Sequence, residues 1–173
     1  MEALDPEDLE RYEMIDGVVY DMSPSPTEGH QRVTTAVGSL LFLALKGRCR
    51  TYVSPFDVWP TGDTKDAYVQ PDVTVICDSG KITDAGCVGA PDLVVEVLSP
   101  STAGKDRKAK LRLYQRSGVR EYWIVDPVMR TVEVFRLDMN LFGPAETYAL
   151  GEDEFVPVGI TQGPQIALED IFG

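Results

Sequence analysis

The chain has 173 residues, and its 43% hydrophobic and 25% charged content is ordinary for a soluble globular protein. Its length predicts one domain spanning residues 1–173 with a substantial core. Three cysteines, odd in number and without a CxxC pair, argue against a disulfide framework or a zinc ribbon and favour a reducing compartment. The most apolar run, residues 37–45, is too short to span a bilayer, and the acidic N-terminal decapeptide lacks the features of a signal peptide. We therefore expect a cytoplasmic protein that does not associate with membranes.

The charge is unevenly distributed along the chain. A net charge of −12 argues against a broad nucleic-acid-binding surface, because such surfaces are basic. Residues 105–120, however, hold seven of the sixteen Lys and Arg residues and one acid, so this segment carries +6 and the rest of the chain −18. The segment is either a solvated helix face or a surface for phosphate. The acidic remainder either serves solubility or repels nucleic acid from every other surface.

The first half of the chain shows one hairpin, one long helix and two strands. Residues 1–10 predict a short helix, and residues 12–22 predict a hairpin around the Asp16-Gly17 turn. A Pro/Ser/Gly-rich loop at 23–29 precedes a helix over 30–46, which has one apolar face. Strands are expected at 50–59 and 68–77, and a flexible connector at 78–89 leads to the next strand.

The second half begins with an apolar strand at 92–98, followed by the basic helix, which Ser117-Gly118 ends. Glu121–Asp126 is the next strand, 131–136 is its hairpin partner, and 137–173 reads as a β-meander with a last short strand or helical turn. Without the first hairpin, the order is helix, three strands, helix, strand. This αβββαβ order predicts an α/β fold (α+β with a mixed sheet) with helices packed against the sheet.

One carboxylate interrupts the apolar strand at 92–98. By strand alternation, Glu96 shares a face with Val94 and Leu98, and the other apolar side chains take the opposite face. A carboxylate among such neighbours is costly unless it is paired, protonated or bound to a metal. Glu96 is therefore a candidate metal ligand, and the alternative is a strand whose outer face is wet.

A second carboxylate, Asp72, lies near the start of the preceding long strand. The two strands would be neighbours in the expected sheet, and adjacent strands lie about 4.8 Å apart, so Asp72 and Glu96 could share one hard cation. Magnesium is bound in this way, by one or two carboxylates, and the backbone carbonyl of Val97 is a further candidate ligand. The alternative for Asp72 is an exposed aspartate in a turn or at a strand end.

Lys110 lies one turn into the basic helix, which could bring it back over the end of the Glu96 strand. A lysine beside a metal site can orient the attacking water, help to deprotonate it, or stabilise developing phosphate charge. The alternative is an ordinary helix salt bridge, because Asp106 and Lys110 form an i,i+4 pair in the favourable order.

Several short motifs follow one another between Tyr12 and Pro127. They are Tyr12-Glu13-Met14-Ile15-Asp16-Gly17, His30, Gln70-Pro71-Asp72, Pro91-Asp92-Leu93-Val94-Val95-Glu96-Val97-Leu98-Ser99, Asp106…Lys110…Tyr114, Gly118-Val119 and Glu121-Tyr122-Trp123. In this order they resemble the Uma-type restriction endonuclease family of the PD-(D/E)xK nuclease superfamily. The resemblance covers most of the chain. It implies a restriction-endonuclease-like αβββαβ core with an N-terminal hairpin and a C-terminal β-meander.

The resemblance also implies a divalent-metal site of Asp72 and Glu96 with a catalytic lysine. The superfamily pattern places that lysine two residues after the glutamate, where this chain has Leu98. In the Uma-type family it looks to have moved to the following helix, where Lys110 occupies the matching place. Glu13 is carried over as a further acid of the site, with a surface position beside the hairpin turn as the alternative.

Four other residues of the motifs are expected to have structural roles. His30 is the only histidine, and a helix-start or polar surface role is favoured over metal ligation. Tyr114 is expected to pack in the core and to position the lysine. Tyr122 and Trp123 are expected to pack within their strand.

Three functions compete. The first is an endonuclease that hydrolyses DNA with Mg²⁺ or Mn²⁺, as a homodimer by analogy with restriction enzymes; its phosphate contacts would be Lys105, Arg107, Lys108 and Arg112. The second is a non-catalytic module with the same fold that binds nucleic acid or a protein, which the acidic charge favours and the trio Asp72, Glu96 and Lys110 opposes. The third is an acidic interaction domain whose basic helix docks on an acidic partner, which predicts no metal binding.

Overall fold

The computed structural model describes residues 12–22, 26–99 and 106–173, with Asp106 and Arg107 described by their backbone only. The expected helix at 1–10 lies outside these residues. The helices are α1 (Glu28–Ala44), α2 (Asp106–Ser117) and α3 (Leu168–Phe172), with a 3-10 turn at Ser79–Lys81. The strands are β1 (Tyr12–Ile15), β2 (Val18–Asp21), β3 (Arg50–Val53), β4 (Val58–Trp59), β5 (Ala67–Tyr68), β6 (Val73–Ile76), β7 (Ile82–Thr83), β8 (Gly86–Val88), β9 (Leu93–Val97), β10 (Glu121–Asp126), β11 (Thr131–Asp138), β12 (Leu141–Phe142), β13 (Glu146–Ala149), β14 (Phe155–Pro157) and β15 (Gln165–Ala167). None of the helices within the described ranges is both long and apolar enough to cross a membrane.

The central sheet has the strand order β12-β11-β10-β9-β6-β3, and β13 also pairs with β11. β6 is antiparallel to both β3 and β9, whereas β9 and β10 are parallel. A parallel pair needs a crossover connection, and α2 supplies it between β9 and β10. The expected mixed α/β sheet and its αβββαβ order are confirmed.

The N-terminal hairpin is also confirmed. β1 and β2 pair antiparallel, and Asp16 and Gly17 adopt φ values of 53° and 72° in the turn between them. Such left-handed conformations suit an Asp-Gly turn, because glycine has no Cβ and aspartate tolerates the region. β1 pairs on its other side with β5, so the hairpin belongs to a three-stranded sheet.

The expected strands at 50–59 and 68–77 are each split in two. β3 and β6 belong to the central sheet, whereas β4 pairs with β8 and β5 pairs with β1. The expected flexible connector at 78–89 contains β7 and β8, which form a hairpin. β8 comes so close to the neighbouring backbone that a Cβ on Gly86 would overlap the carbonyl oxygen of Asp57. The sequence pattern misses β4 and β5 because their partners, β8 and β1, are distant along the chain. It misses the β7–β8 hairpin because strands of two and three residues are too short to show an alternating pattern.

The core has one cluster on each face of the central sheet. The first holds Leu93, Val95 and Val97 of β9 with the apolar side of α1 and with α3. The second holds Val94 and, at its edge, Leu98, packed with Tyr114 and its neighbours on α2. The two faces assigned to β9 are therefore confirmed, and Glu96 lies on the face that α2 covers.

Cys49 and Cys77 form a disulfide. Arg50 pairs with Ile76 at the end of the β3–β6 ladder, so the two cysteines lie opposite each other one residue beyond it. The sequence argument against disulfides is wrong for this pair, because strand register joins cysteines that are 28 residues apart and share no local motif. The third cysteine, Cys87, is free and buried.

Candidate active site

Lys110 is buried between two carboxylates. Its Nζ lies 2.9 Å from Oε2 and 3.1 Å from Oε1 of Glu13, and 3.0 Å from Oε1 of Glu96. The side-chain exposures are 6% for Lys110, 3% for Glu13 and 12% for Glu96. Burying three charges together is costly unless they are closely paired, and here both carboxylates share one ammonium group.

Glu13 reaches the site because of the alternation of β1. Glu13 and Ile15 are buried, whereas Tyr12 and Met14 on the opposite face are half-buried. The backbone N–H of Gln70 donates to Oε1 of Glu13 over 3.0 Å, which adds a fixed donor to the lysine. The alternative of a surface position for Glu13 is therefore wrong, since pairing of β1 with β5 turns its side chain inward.

Glu96 accepts a hydrogen bond from the Tyr114 hydroxyl over 2.6 Å, also at Oε1. Burial raises the pKa of Glu96 to about 8, with the negative charges of Glu13 and Asp72 adding to the rise and Lys110 opposing it. Tyr114 is fully buried, as expected of a core residue, but its hydroxyl contacts the carboxylate itself. The site thus holds an excess of negative charge in a poorly hydrated place.

Asp72 lies opposite Glu96 when the β6–β9 register, in which Val73 pairs with Val95, is extended by one residue. Its Oδ2 accepts a hydrogen bond from the backbone N–H of Val97 over 2.7 Å. The Asp72 side chain is 17% exposed, so the alternative of an exposed aspartate is wrong. The register of the neighbouring strands thus places Asp72 beside Glu96.

His30 joins the site through Asp72. It lies in the first turn of α1, where its backbone N–H donates to the Thr27 cap, so the expected helix-start role is confirmed. Its Nε2 lies 3.2 Å from Oδ2 of Asp72, and its Nδ1 lies 3.4 Å from the hydroxyl of Thr34. The expected polar surface position is wrong because the ring is buried. The i,i+4 pair of polar residues on the buried side of α1 was the available signal.

The donor set fits one hard cation. The contacts described for Asp72 involve its Oδ2, and those described for Glu96 involve its Oε1. The other oxygen of each carboxylate, Oδ1 of Asp72 and Oε2 of Glu96, could therefore bind a cation. Within 12–22, 26–99 and 106–173, no three His, Cys, Asp or Glu residues form a ready-made metal cluster. Two carboxylates suffice for Mg²⁺, which keeps several waters and other oxygen ligands. The Val97 carbonyl stays a predicted ligand, adjacent to the N–H that holds Asp72.

Lys110 remains protonated in this arrangement. Burial lowers the pKa of its ammonium group, but the charges of Glu13 and Glu96 outweigh that effect and raise the pKa well above its ordinary value. The lysine is therefore a hydrogen-bond donor and a positive charge, and it is poorly suited to accept a proton.

The basic helix and the residues that follow it carry fewer unpaired cations than the sequence suggests. Arg116 pairs with Asp16 and Asp66, and Arg120, just beyond the helix, pairs with Asp92. Of the four predicted phosphate-binding residues, Lys108 and Arg112 have described side chains, and both are exposed. Lys105 and the side chain of Arg107 lie outside the described residues.

A family model with the description "Putative restriction endonuclease" matches residues 1–169. The chain belongs to the Uma2 family. Two uncharacterized Synechocystis proteins are relatives: sll1609 is 31% identical over 131 residues, covering 73% of this chain and 72% of the relative, and slr1290 is 30% identical over 128 residues, covering 73% and 66%. A solved structure from Anabaena variabilis, described as a putative nuclease belonging to DUF820, is 21% identical, covers 93% of this chain and 89% of that chain, and superposes with a TM-score of 0.74. This likeness confirms the nuclease-type fold.

In this Uma2 chain, the fold brings the lysine to Glu96 from another element, and not from the position two residues after the glutamate. Leu98, two residues after Glu96, is half-buried and packs at the edge of the second core cluster. The ammonium group that lies 3.0 Å from Glu96 comes instead from α2, the helix that crosses over to β10. The structure thus brings together Asp72, Glu96, Lys110 and Glu13.

Proposed function

We propose that the protein is a divalent-metal-dependent endonuclease that hydrolyses phosphodiester bonds of DNA. The observation that carries the proposal is the burial of Lys110 between Glu13 and Glu96, with Asp72 opposite Glu96 in the sheet. A buried ion cluster with more acids than bases contributes little to the stability of the fold. Such clusters are typical of sites that perform chemistry. Membership of a family described as restriction endonucleases supports the same reading.

Asp72 and Glu96 would hold the cation, Mg²⁺ or Mn²⁺, and the Val97 carbonyl would be a third ligand. When bound, such a cation polarises the scissile phosphate and lowers the pKa of an attacking water. The protein fixes the ligands from several sides: the Val97 N–H and His30 hold Oδ2 of Asp72, and Tyr114 holds Oε1 of Glu96. These contacts orient the carboxylates before any substrate arrives.

Lys110 would act as a fixed positive charge. Because its pKa is raised well above the ordinary value, it donates a hydrogen bond to the attacking water or to a phosphate oxygen and stabilises the negative charge that develops there. Glu13 holds the ammonium group in place without having to contact the substrate. The assistance that Lys110 gives is therefore electrostatic and orienting.

The exposed face of α2 would contact the DNA backbone through Lys108 and Arg112, with Lys105 and Arg107 preceding them in sequence. Contacts to phosphates position a nuclease on DNA without reading the base sequence. Restriction-type nucleases cut two strands as dimers, so we also propose a homodimer. The strongly acidic remainder of the chain would restrict DNA to this side of the protein.

The test is a plasmid-nicking assay with Mg²⁺ and with Mn²⁺ on the wild type, Lys110→Met and, as a control, Lys65→Met, which changes an exposed lysine outside the proposed site. Methionine approximates the length of the lysine side chain and removes its charge. The proposal expects nicking by the wild type, strongly reduced nicking by Lys110→Met, and near wild-type nicking by Lys65→Met. Equal activity of the wild type and Lys110→Met would overturn the assigned role, and metal-independent nicking would overturn the proposed class.

A further inference from the structure

The disulfide lies at the opposite end of β6 from Asp72 and borders a cavity. This cavity has a volume of about 370 Å³. Its lining residues are Gly47, Arg48, Cys49, Arg50, Ile76, Cys77 and Ser79. Both cysteines are half-buried: they pack against the first core cluster on one side and line this space on the other.

Two arginines give this cavity a positive charge in a protein whose net charge is −12. Arg48 donates to the carbonyl oxygens of Gln162 and Ala44, and neither Arg48 nor Arg50 belongs to an ion pair in the described part of the chain. The carboxylate next in sequence, Asp78, accepts a hydrogen bond from the N–H of Gly80, within its own turn. The arginines are thus available to an anionic guest.

The third cysteine, Cys87, is not expected to react with a small molecule in this cavity. Cys87 is buried in the second core cluster, and burial raises the pKa of its thiol to about 11. A thiol with so high a pKa has little thiolate, which is the reactive form. Thiol chemistry on the oxidised protein is therefore confined to the Cys49–Cys77 bond.

We propose that this cavity is a thiol–disulfide exchange site for small thiols that carry carboxylates, the chemical class to which glutathione belongs. An external thiolate attacks one sulfur, the Cys49–Cys77 bond breaks, and the released cysteine thiolate takes a proton from water. A second external thiolate then attacks the mixed disulfide, which frees the second cysteine and releases the oxidised external thiol. Two external thiols thereby supply the two electrons that reduce the protein.

Breaking the disulfide would change how β3 is held in the central sheet. This strand is the edge of the central sheet, and the disulfide joins it covalently to β6. At its other end, the N–H of Ser54 donates to the carbonyl oxygen of Asp72 over 3.0 Å. Thiol–disulfide exchange thus breaks the covalent link between β3 and β6. The segment that begins with β3 also holds the backbone of Asp72 in the candidate active site.

The test compares an anionic and a cationic thiol, 3-mercaptopropionate and cysteamine, on the full oxidised chain, with each rate divided by the rate of the same thiolate on a small neutral disulfide, because thiolates differ in intrinsic nucleophilicity. Samples are trapped with iodoacetamide, and mass spectrometry follows the alkylation of Cys49 and Cys77. The proposal expects the anionic thiol to react faster, by roughly tenfold at low salt, because charge concentrates it in the cavity. The double variant Arg48→Gln/Arg50→Gln should lose this preference, and Arg32→Gln, which removes an arginine of α1 that does not line the cavity, should keep it.

Salt provides a second measurement that needs no variant. Raising the ionic strength from 0.01 to 0.5 M should abolish the preference in the wild type, because the interaction is electrostatic and screened. Equal rates for the two thiols at low salt would overturn the proposal. So would a preference that survives both the double variant and high salt, or the finding of three free thiols in the oxidised, denatured chain.

Discussion

Lys110 of α2 and Glu13 of β1 lie 97 residues apart in the chain, and their charged atoms approach to 2.9 Å. This ion pair makes the N-terminal hairpin part of the candidate active site. The hairpin carries the acid that holds the lysine, while the central sheet carries the two carboxylates proposed for the cation. The site is therefore assembled from two sheets and the helix between β9 and β10.

The variant Glu13→Gln should lower nuclease activity by about tenfold to hundredfold, as expected for loss of a group that orients a catalytic side chain. Lys110 would keep Glu96 as its partner but lose the carboxylate that fixes its position. Calorimetry with Mn²⁺ should show that the metal still binds, because Glu13 is not a proposed ligand. Glu28→Gln, an exposed acid at the start of α1, is the matched control. Unchanged nicking by Glu13→Gln would show that Lys110 does not need Glu13 to orient it.

The variant Tyr114→Phe should destabilise the protein by about 1–2 kcal/mol, because it removes the buried hydrogen bond to Glu96. The Tyr114 hydrogen bond lowers the pKa of Glu96, so its loss should move that pKa further upward. Urea unfolding measures the stability, and the pH at which metal binding reaches half of its maximum reports the pKa. Tyr148→Phe, which affects a more exposed tyrosine, should leave the pH dependence unchanged. A downward shift in Tyr114→Phe would contradict the account.

Metal affinity should rise with pH between about 6 and 8. The pKa of Glu96 is raised to about 8, so below that pH the carboxyl is protonated and a cation must displace the proton. Affinity then grows by up to about tenfold per pH unit and levels off above the pKa. Calorimetry in two buffers of different ionisation enthalpy should detect close to one proton released at pH 6.5. Affinity that is flat from pH 6 to 8 would remove Glu96 from the ligand set.

The disulfide should contribute about 3–4 kcal/mol to stability, as the chain-entropy treatment gives for its sequence separation of 28 residues. The double variant Cys49→Ser/Cys77→Ser should unfold at correspondingly lower urea concentration. Dithiothreitol should lower the stability of the wild type and leave that of the double variant unchanged. A double variant as stable as the oxidised wild type would contradict this contribution.

Arg112 and Arg116 offer a matched pair on one helix. Arg112 is exposed and assigned to phosphate, whereas Arg116 pairs with Asp16 and Asp66. Arg112→Gln should reduce the slope of log affinity against log salt by about 1, and Arg116→Gln should change it far less. Fluorescence anisotropy with a short DNA duplex at several salt concentrations measures both. Equal slopes for wild type and Arg112→Gln would place DNA elsewhere.

Local patterning was enough to predict much of the fold. The apolar run at β9, its alternation and the Asp16-Gly17 turn are encoded within a few residues, so the strand, the face of Glu96 and the hairpin could be predicted. The order of helices and strands then limited the sheet to a mixed αβββαβ arrangement. The position of Lys110 one turn into the following helix suggested its approach to the Glu96 strand, and the motif resemblance assigned it the role of the catalytic lysine.

Contacts between distant segments could not be predicted in the same way. The opposition of Cys49 and Cys77 depends on the β3–β6 register, and the burial of Glu13 depends on pairing of β1 with β5. His30 looked like an ordinary helix-start residue because its partner, Asp72, is 42 residues away. Each of these features arises only when strands or helices far apart in the chain come together.

The most direct test of the central claim is Mn²⁺ calorimetry on the wild type, Glu96→Gln and Asp72→Asn, with plasmid nicking on the same samples. Glutamine and asparagine keep the shapes of the side chains and remove their charges. The account predicts metal binding and nicking by the wild type, and loss of both in each variant. Metal binding that is absent from the wild type, or that survives unchanged in both variants, would contradict it.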